Sequence, residues 1–294
     1  MIRNYFDTGS RLYRFVFSNR LLCQIAASMH SSIIGAEVAL IRWFGLPWRV
    51  TRGSTSLQQI SEMVTIVVKS FERPRELKRL LSSIRTWYPD ITVIVVDDSA
   101  HDISPLIQKF KGIDLITLPF NSGVCAGRNV GVARVTTPFF VSLDDDFILW
   151  RGSNLSIFLN HLITHREIDL VGGWLVNLPF FTRSGPGGVI RVPAEARSAI
   201  SKDGCFKVPQ FYMARTETIR QVGWDERIKV LDHSHFFGRL VGKATVRFLP
   251  DVSILHARTQ FNKHYMEFRT NLESDQEILA ENEGIYTSGG LKST

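Results

Sequence analysis

Cysteine is scarce in this 294-residue chain. Cys23, Cys125 and Cys205 are scattered, and none stands in a Cys-x-x-Cys pair. That excludes a disulfide framework and a cysteine-built zinc site, and it suits a reducing, cytoplasmic compartment. Acid is scarce at the N-terminus. Residues 1–52 hold seven arginines against Asp7 and Glu37, which accounts for +5 of the formal net charge of +7. The remainder is close to neutral, so no nucleic-acid groove is expected across the main body, and the basic charge belongs to an N-terminal arm. Long apolar runs are missing too. The least charged window, 21–41, still contains Gln24, His30 and Glu37, a poor match to the ~20 predominantly apolar residues of a spanning helix. Nor is there the compact apolar segment and small-residue cleavage site of a signal peptide. No internal repeat is found.

What is present is an ordinary globular composition, 44% hydrophobic and 21% charged, enough for one large domain with an appendage. Residues 1–60 read as a basic, amphipathic helical region and linker, 61–270 as the main domain and 271–294 as a fraying tail. In the first part Arg14, Arg20, Arg42, Trp43, Phe44 and Trp48 flank the apolar stretch. Such flanks suit a helix lying in a membrane interface; a helical extension packed on the main domain is the alternative. Residues 51–61 read as a linker.

From Val64 a regular pattern begins. Val64–Val68 is a short apolar, β-branched strand, and Pro74–Trp87 is a helix with Leu77, Leu80, Leu81 and Ile84 on one face. Ile91–Val96, Ile113–Leu118 and Phe139–Leu143 are further strands, separated by helices over Ile103–Phe110 and Gly123–Arg134. Strands alternating with helices at this interval imply a parallel sheet covered on both faces, with ligands at the carboxyl ends of its strands. Further on, helices are expected over Asn154–His165, Thr216–Val222 (capped by Thr216) and Leu231–Val241. Strands are expected over Leu170–Trp174, Val208–Ala214, Thr245–Leu249 and Val252–Leu255. Pro179–Gly204 is too long for a plain connection and reads as a functional loop.

Two acidic clusters fall at the carboxyl edge: Asp97-Asp98, and Asp144-Asp145-Asp146 after a buried strand. Clustered carboxylates repel, and burial disfavours their ionised form. Something cationic is required, a divalent metal being one solution and a solvated acidic turn the plainer one. Between the clusters, Asn121-Ser-Gly-Val-Cys-Ala-Gly-Arg128-Asn129 sets Gly123, Gly127 and a cation at a helix start, which favours a polar or anionic ligand; Arg128 could equally pair with one of the aspartates. Three rival chemistries fit poorly. No Gly-x4-Gly-Lys-[Ser/Thr] loop exists for a P-loop ATPase. A receiver domain would carry its acidic pair on the first strand. A phosphoryl-transfer nucleophile would have a threonine soon after Asp144.

In order and spacing, Val96-Asp-Asp-Ser, Asn121-x-Gly-x-x-x-Gly-Arg128-Asn129 and Leu143-Asp-x-Asp146 resemble a family 2 glycosyltransferase of the GT-A fold, over about 64–269. Thr136-Thr-Pro and Leu170-Val-Gly-Gly are similar to β-1,4-N-acetylgalactosaminyltransferases and their bacterial relatives. The resemblance implies an α/β fold with a mostly parallel central sheet, here with an N-terminal helical extension. It implies an inverting, metal-dependent transfer of a hexosamine or hexose, GalNAc being one candidate, from a UDP-sugar to a glycan or glycolipid hydroxyl. Carried over residue by residue, Asp97 or Asp98 would bond the uracil, and Arg128 the base or diphosphate. Asn121, Gly123, Asp144 and Asp145 would belong to the donor seat. Asp144, Asp146 and His256 would hold Mn²⁺ or Mg²⁺, an imidazole among oxygens suiting manganese somewhat better; a satisfied strand-end histidine is the plain reading of His256. Lys229, Arg258, Lys263 and Arg269 are further diphosphate candidates. Where such enzymes carry an acid before Phe-Phe, this chain has His235, with Asp232 three residues earlier; either could be the base. Localisation would be peripheral, at the inner face of a bacterial membrane in preference to a Golgi lumen. A sugar nucleotidyltransferase, or a degenerate domain serving as a binding subunit, are the alternatives.

Overall fold

The computed structural model describes residues 11–44, 55–186, 207–270 and 272–281. Cys205, Trp48 and most of the loop expected over 179–204 lie outside them. The chain starts with α1 (Arg11–Ser18) and α2 (Arg20–Phe44), then α3 (Leu57–Met63). Helix α3 replaces the second half of the expected linker. Ser56 accepts a hydrogen bond from Gln59 N (3.1 Å), and this N-cap is what starts it.

The alternating segment follows as β1 (Val64–Ser70), α4 (Pro74–Trp87), β2 (Thr92–Asp97), α5 (Ser104–Ile107), β3 (Ile113–Thr117), α6 (Val124–Arg134) and β4 (Phe139–Asp144). Each lies within a few residues of its expected place. After β4 come β5 (Phe147–Ile148), α7 (Leu155–Thr164), β6 (Leu170–Leu178), β7 (Thr182–Ser184), β8 (Tyr212–Arg215), α8 (Thr216–Val222) and α9 (Asp232–Leu240). The last elements are β9 (Val246–Ala257), α10 (Lys263–Thr270) and α11 (Glu273–Glu281).

Among the described residues the strands form one mixed sheet in the order β3-β2-β1-β4-β8-β6-β9-β5, with β7 beside β6. Strands β3, β2, β1 and β4 pair in parallel; β8 runs antiparallel to both β4 and β6. Strand β9 is parallel to β6 and antiparallel to β5. One face is covered by α4 and α7: Leu77, Leu80, Ile84, Phe158 and Leu162 pack on Ile66, Val68, Val95 and Val141. The other face carries α6, α8 and α9, with Cys125, Val132, Ile219, Phe236 and Phe237 against Val67, Val96 and Phe140. Alternate β1 side chains serve opposite faces, as a strand covered on both sides requires.

Three local expectations are corrected. Thr216 does not cap α8; its hydroxyl donates to Thr137 O (2.8 Å), and Arg215 occupies the cap position. The strands expected over 245–249 and 252–255 are one strand, β9, which continues through Pro250 because its pairing with β6 shifts register between Gly172 and Trp174. The expected tail contains α11, whose Ile278 and Leu279 pack against the second core.

Candidate active site

The register of the parallel strands lines up their ends. Lys69 of β1 stands opposite Val96 on one side and Asp144 on the other, and Ser70 stands opposite Asp97. A cavity of about 520 Å³ opens at this edge. On its far wall Asn177 of β6 is level with His256 of β9, and His256 with Phe147 of β5.

Two buried cations that the sequence reading passed over organise the acids. Lys69 Nζ pairs with Asp98 and donates to Ser70 O (2.6 Å). Its stem runs so close to α6 that a Cβ on Gly127 would lie 2.5 Å from Lys69 Cε, which is why residue 127 has no side chain. Arg73, in the turn after β1, pairs with Asp145 and donates to Asp146 Oδ2 (2.7 Å) and Thr259 Oγ1 (3.0 Å). The face of Tyr265 lies 4.0 Å from its guanidinium. A lysine at the end of a wholly buried strand and an arginine in the turn after it were the available signal: buried cations need buried partners.

The aspartates then divide by role. Asp97 accepts from Ser99 N (3.2 Å) and Ser99 Oγ (2.8 Å), and burial raises its pKa. Asp98 accepts from Gly123 N (2.8 Å) as well as from Lys69, and its backbone O takes Asn121 N (3.0 Å). Asp98 lines the cavity, whereas Asp97 is turned to Ser99 and builds the turn after β2. Asp145 is likewise removed from the expected donor seat. It is wholly buried beneath the cavity and is held by Arg73. Burial pushes its pKa up to about 7, with Asp146 and Asp144 adding to the push against Arg73. Burial acts on Asp146 too, but Arg73 and His256 outweigh it and hold that carboxyl below its usual range.

The three expected metal ligands do not close on one point. His256 Nε2 is 3.4 Å from Asp146 Oδ2, while its Nδ1 lies 2.8 Å from Asn177 Oδ1, and Asn177 Nδ2 donates to Ser184 (2.9 Å). Asp146 Oδ1 is buried with no hydrogen-bond partner among the described residues. The orphaned Oδ1 belongs to the same carboxylate whose Oδ2 stands beside the imidazole nitrogen, and such a carboxylate–imidazole pair suits a divalent cation. Asp144, by contrast, accepts from Arg128 Nη2 (2.8 Å). Among the described residues no set of three His, Cys, Asp or Glu side chains surrounds a single site.

Arg128 joins the strand edge to α9. Its second terminal nitrogen pairs with Asp232, the first residue of α9. Both the anticipated pairing with an aspartate and a place in the cavity wall are therefore realised. Asp232 lines the cavity, as do Lys229, Arg269 and His233; His235 does not. His235 is 3% exposed and faces Asp225, Arg239 and Arg227, and burial lowers its pKa. Position therefore separates the two candidates: the start of α9 sets Asp232 in the cavity wall and turns His235 into the core. His233, unremarked in the sequence, stands beside Gln210 (3.3 Å), and burial drives its pKa down to about 3. At the mouth, Phe71, Phe120 and Phe268 form a ring cluster with centroids 5.1 to 5.7 Å apart. Asn121 (φ 55°) and Gly123 (φ 98°) shape the adjoining turn; a Cβ on Gly123 would lie 2.9 Å from Lys229 Cα. Arg258 lines a different cavity, between α2 and α4.

The sequence profile described as Glycosyl transferase family 2 matches residues 65–209. The mouse (Mus musculus) β-1,4 N-acetylgalactosaminyltransferase 2 is 33% identical over 235 residues, covering 74% of this chain and 45% of that protein. The chain therefore spans less than half the length of that curated relative. Two solved structures share the fold. TarS 1-349 of S. aureus in complex with UDP-GlcNAc superposes with a TM-score of 0.53 at 16% identity, over 66% of this chain and 58% of that one. A mannosyltransferase from Pyrobaculum calidifontis in complex with GDP-Man and Mn²⁺ gives a TM-score of 0.55 at 18% identity, over 90% and 76%.

Proposed function

The chain belongs to glycosyl transferase family 2 through its domain at residues 65–209, and from that membership we propose an inverting transfer of a hexosamine or hexose from a UDP-sugar to a hydroxyl of a glycan or glycolipid. The observation that carries this reading is Arg128, whose one guanidinium reaches Asp144 on the strand edge and Asp232 on the opposite wall of the same cavity. GalNAc is the sugar favoured by the mouse relative's name, and UDP by the TarS complex.

Phe71 and Phe268, set edge to face with Asn121 lining the same cavity, offer the nucleobase an apolar seat. Lys229 and Arg269 face the cavity where a diphosphate would lie. Asp146 and His256 would hold Mn²⁺ or Mg²⁺, which would neutralise the diphosphate and the charge growing on the departing UDP. Asp232 takes the proton of the acceptor hydroxyl. The freed oxygen bonds to the anomeric carbon from the face opposite the nucleotide, the carbon–oxygen bond to the diphosphate breaks, and UDP leaves with the electron pair. Arg128 pairs with Asp232 and keeps it aimed at the cavity between proton transfers.

The same reading puts the protein at a membrane surface through residues 1–52, without a nucleic-acid partner, on the cytoplasmic side. The exposed apolar side chains of α1 and α2 support that contact. Asp146→Ala and His256→Ala should each weaken Mn²⁺-dependent UDP binding in calorimetry while leaving the circular dichroism spectrum intact. Unchanged UDP affinity in both variants would refute the metal and donor site.

A further inference from the structure

Asp275 is 1% exposed, and it comes from α11, outside the alternating segment that builds the site. Its two oxygens collect three successive backbone N–H groups. Oδ1 accepts from Lys229 N (2.9 Å), and Oδ2 accepts from Val230 N (2.7 Å) and Leu231 N (2.8 Å). Consecutive N–H groups turned to one side form a concave anion seat, and a carboxylate in it makes charge-assisted hydrogen bonds. The residue after this nest is Asp232.

The nest is tied to the nucleotide side as well. Lys229 O accepts from Val124 N (3.1 Å) at the start of α6, and Lys229 Cα abuts Gly123. Asp275 also lies close enough to Cys125 to act on it electrostatically, alongside the burial that pushes that thiol up to about 12. One buried carboxylate therefore sets the backbone that enters α9 and holds it against the glycine turn. Ahead of α11, α10 brings Tyr265, Phe268 and Arg269 to the cavity, so the last described helices both line the mouth and pin the wall that carries Asp232.

We propose that Asp275 is a positioning residue for transfer: its carboxylate fixes Lys229–Leu231 so that Asp232 meets Arg128 at the acceptor side of the cavity. This rests on the transferase reading above. The decisive variant is Asp275→Asn, which keeps the shape of the side chain but turns an NH₂ group toward N–H donors. Amide hydrogen exchange at Lys229, Val230 and Leu231 should quicken while β1, β2 and β4 keep their protection. Turnover should fall by roughly 10²-fold, the scale of a small misplacement of a reacting group, with UDP-sugar affinity falling far less. Asp275→Ala should behave alike. Wild-type turnover and protection in Asp275→Asn would overturn the proposal, because packing alone would then explain the burial. So would loss of protection throughout the sheet, which would make Asp275 a determinant of the fold. If the three amides respond but the wild-type protein transfers no sugar, the nest is supported and the transferase reading fails, so the two fail separately.

Discussion

At the scale of single residues, the site is a problem of charge neutrality solved by side chains. Asp97, Asp98, Asp144, Asp145 and Asp146 crowd one strand edge with Asp232 across the cavity from them, and Lys69, Arg73 and Arg128 are the buried cations that answer them. The arginines do what the ammonium could not, since a planar guanidinium reaches two carboxylates at once. Arg73 spends its reach on Asp145 and Asp146, and Arg128 on Asp144 and Asp232. The choice of base follows from this division. Asp232→Asn should lower turnover by roughly 10²-fold or more, the scale of a lost general base, with UDP-sugar affinity little changed. His235→Ala should lower stability more than turnover, because it empties a buried position. An inactive His235→Ala protein that folds normally, beside an active Asp232→Asn protein, would reverse the assignment.

At the scale of elements, α2 carries two different faces on one helix. Cys23, His30, Ile34, Glu37 and Ile41 are buried against the domain. Ile34 and Ile41 pack on Trp150, Val176, Leu178 and Leu255, and burying a side chain of this size contributes about 1.5–3 kcal/mol. Glu37 accepts from Phe180 N (2.7 Å), which ties the helix to the β6–β7 turn; burial raises its pKa. A second face exposes Leu21, Ile25, Met29, Ile33, Leu40 and Trp43, a stripe of roughly 35 Å at 1.5 Å per residue. Helix α2 is long and apolar enough to cross a membrane by length and composition alone. Under the proposed membrane contact, its packed face and buried Glu37 would lay it on the surface, with Arg14, Arg20 and Arg42 toward anionic headgroups. The full chain should float with anionic liposomes and less with neutral ones, and Ile25→Ser with Trp43→Ser should abolish flotation while sparing UDP binding. Equal flotation of the double variant would leave simple packing as the helix's only role.

At the scale of the whole molecule, buried titratable groups set the response to pH. Burial lowers the pKa values of His30, His161, His233 and His235, and His233 reaches about 3. The unfolded chain accepts a proton on each near pH 6.5, which the folded protein refuses. For these groups stability therefore falls as pH drops below about 6.5, with the loss at His233 extending toward pH 3. Asp145 works in the other direction. Its raised pKa lets the folded protein keep a proton that the unfolded chain releases above about 4, so its contribution grows as pH falls from 7 toward 4. Substitution separates the two. Between pH 7.5 and pH 5 the urea midpoint of His233→Gln should drop less than that of the unsubstituted protein. An identical drop in both would mean that His233 is not held neutral by the fold.

Local pattern was enough for much of this protein. The parallel half of the sheet, the helices α4 and α6, and the arrival of two acidic clusters at one edge all follow from apolar runs and helical spacing, which act over a few residues. Family membership was legible for the same reason: its motifs are short and sit at strand ends. Tertiary structure decided what depends on distant pairing. His256 faces Asn177 across 79 residues, Arg73 reaches Thr259 across 186, and Asp275 seats the backbone of 229–231 from a segment expected to fray. A carboxylate's role is set by which cation reaches it, and no spacing in the chain records that. Asp145 therefore could not be told from Asp144, or His235 from Asp232, until the buried arginines and the start of α9 were located. The faces of α2 divide likewise: composition marks the helix as both apolar and basic, but only the domain packed against Ile34 and Ile41 determines which apolar side remains outside.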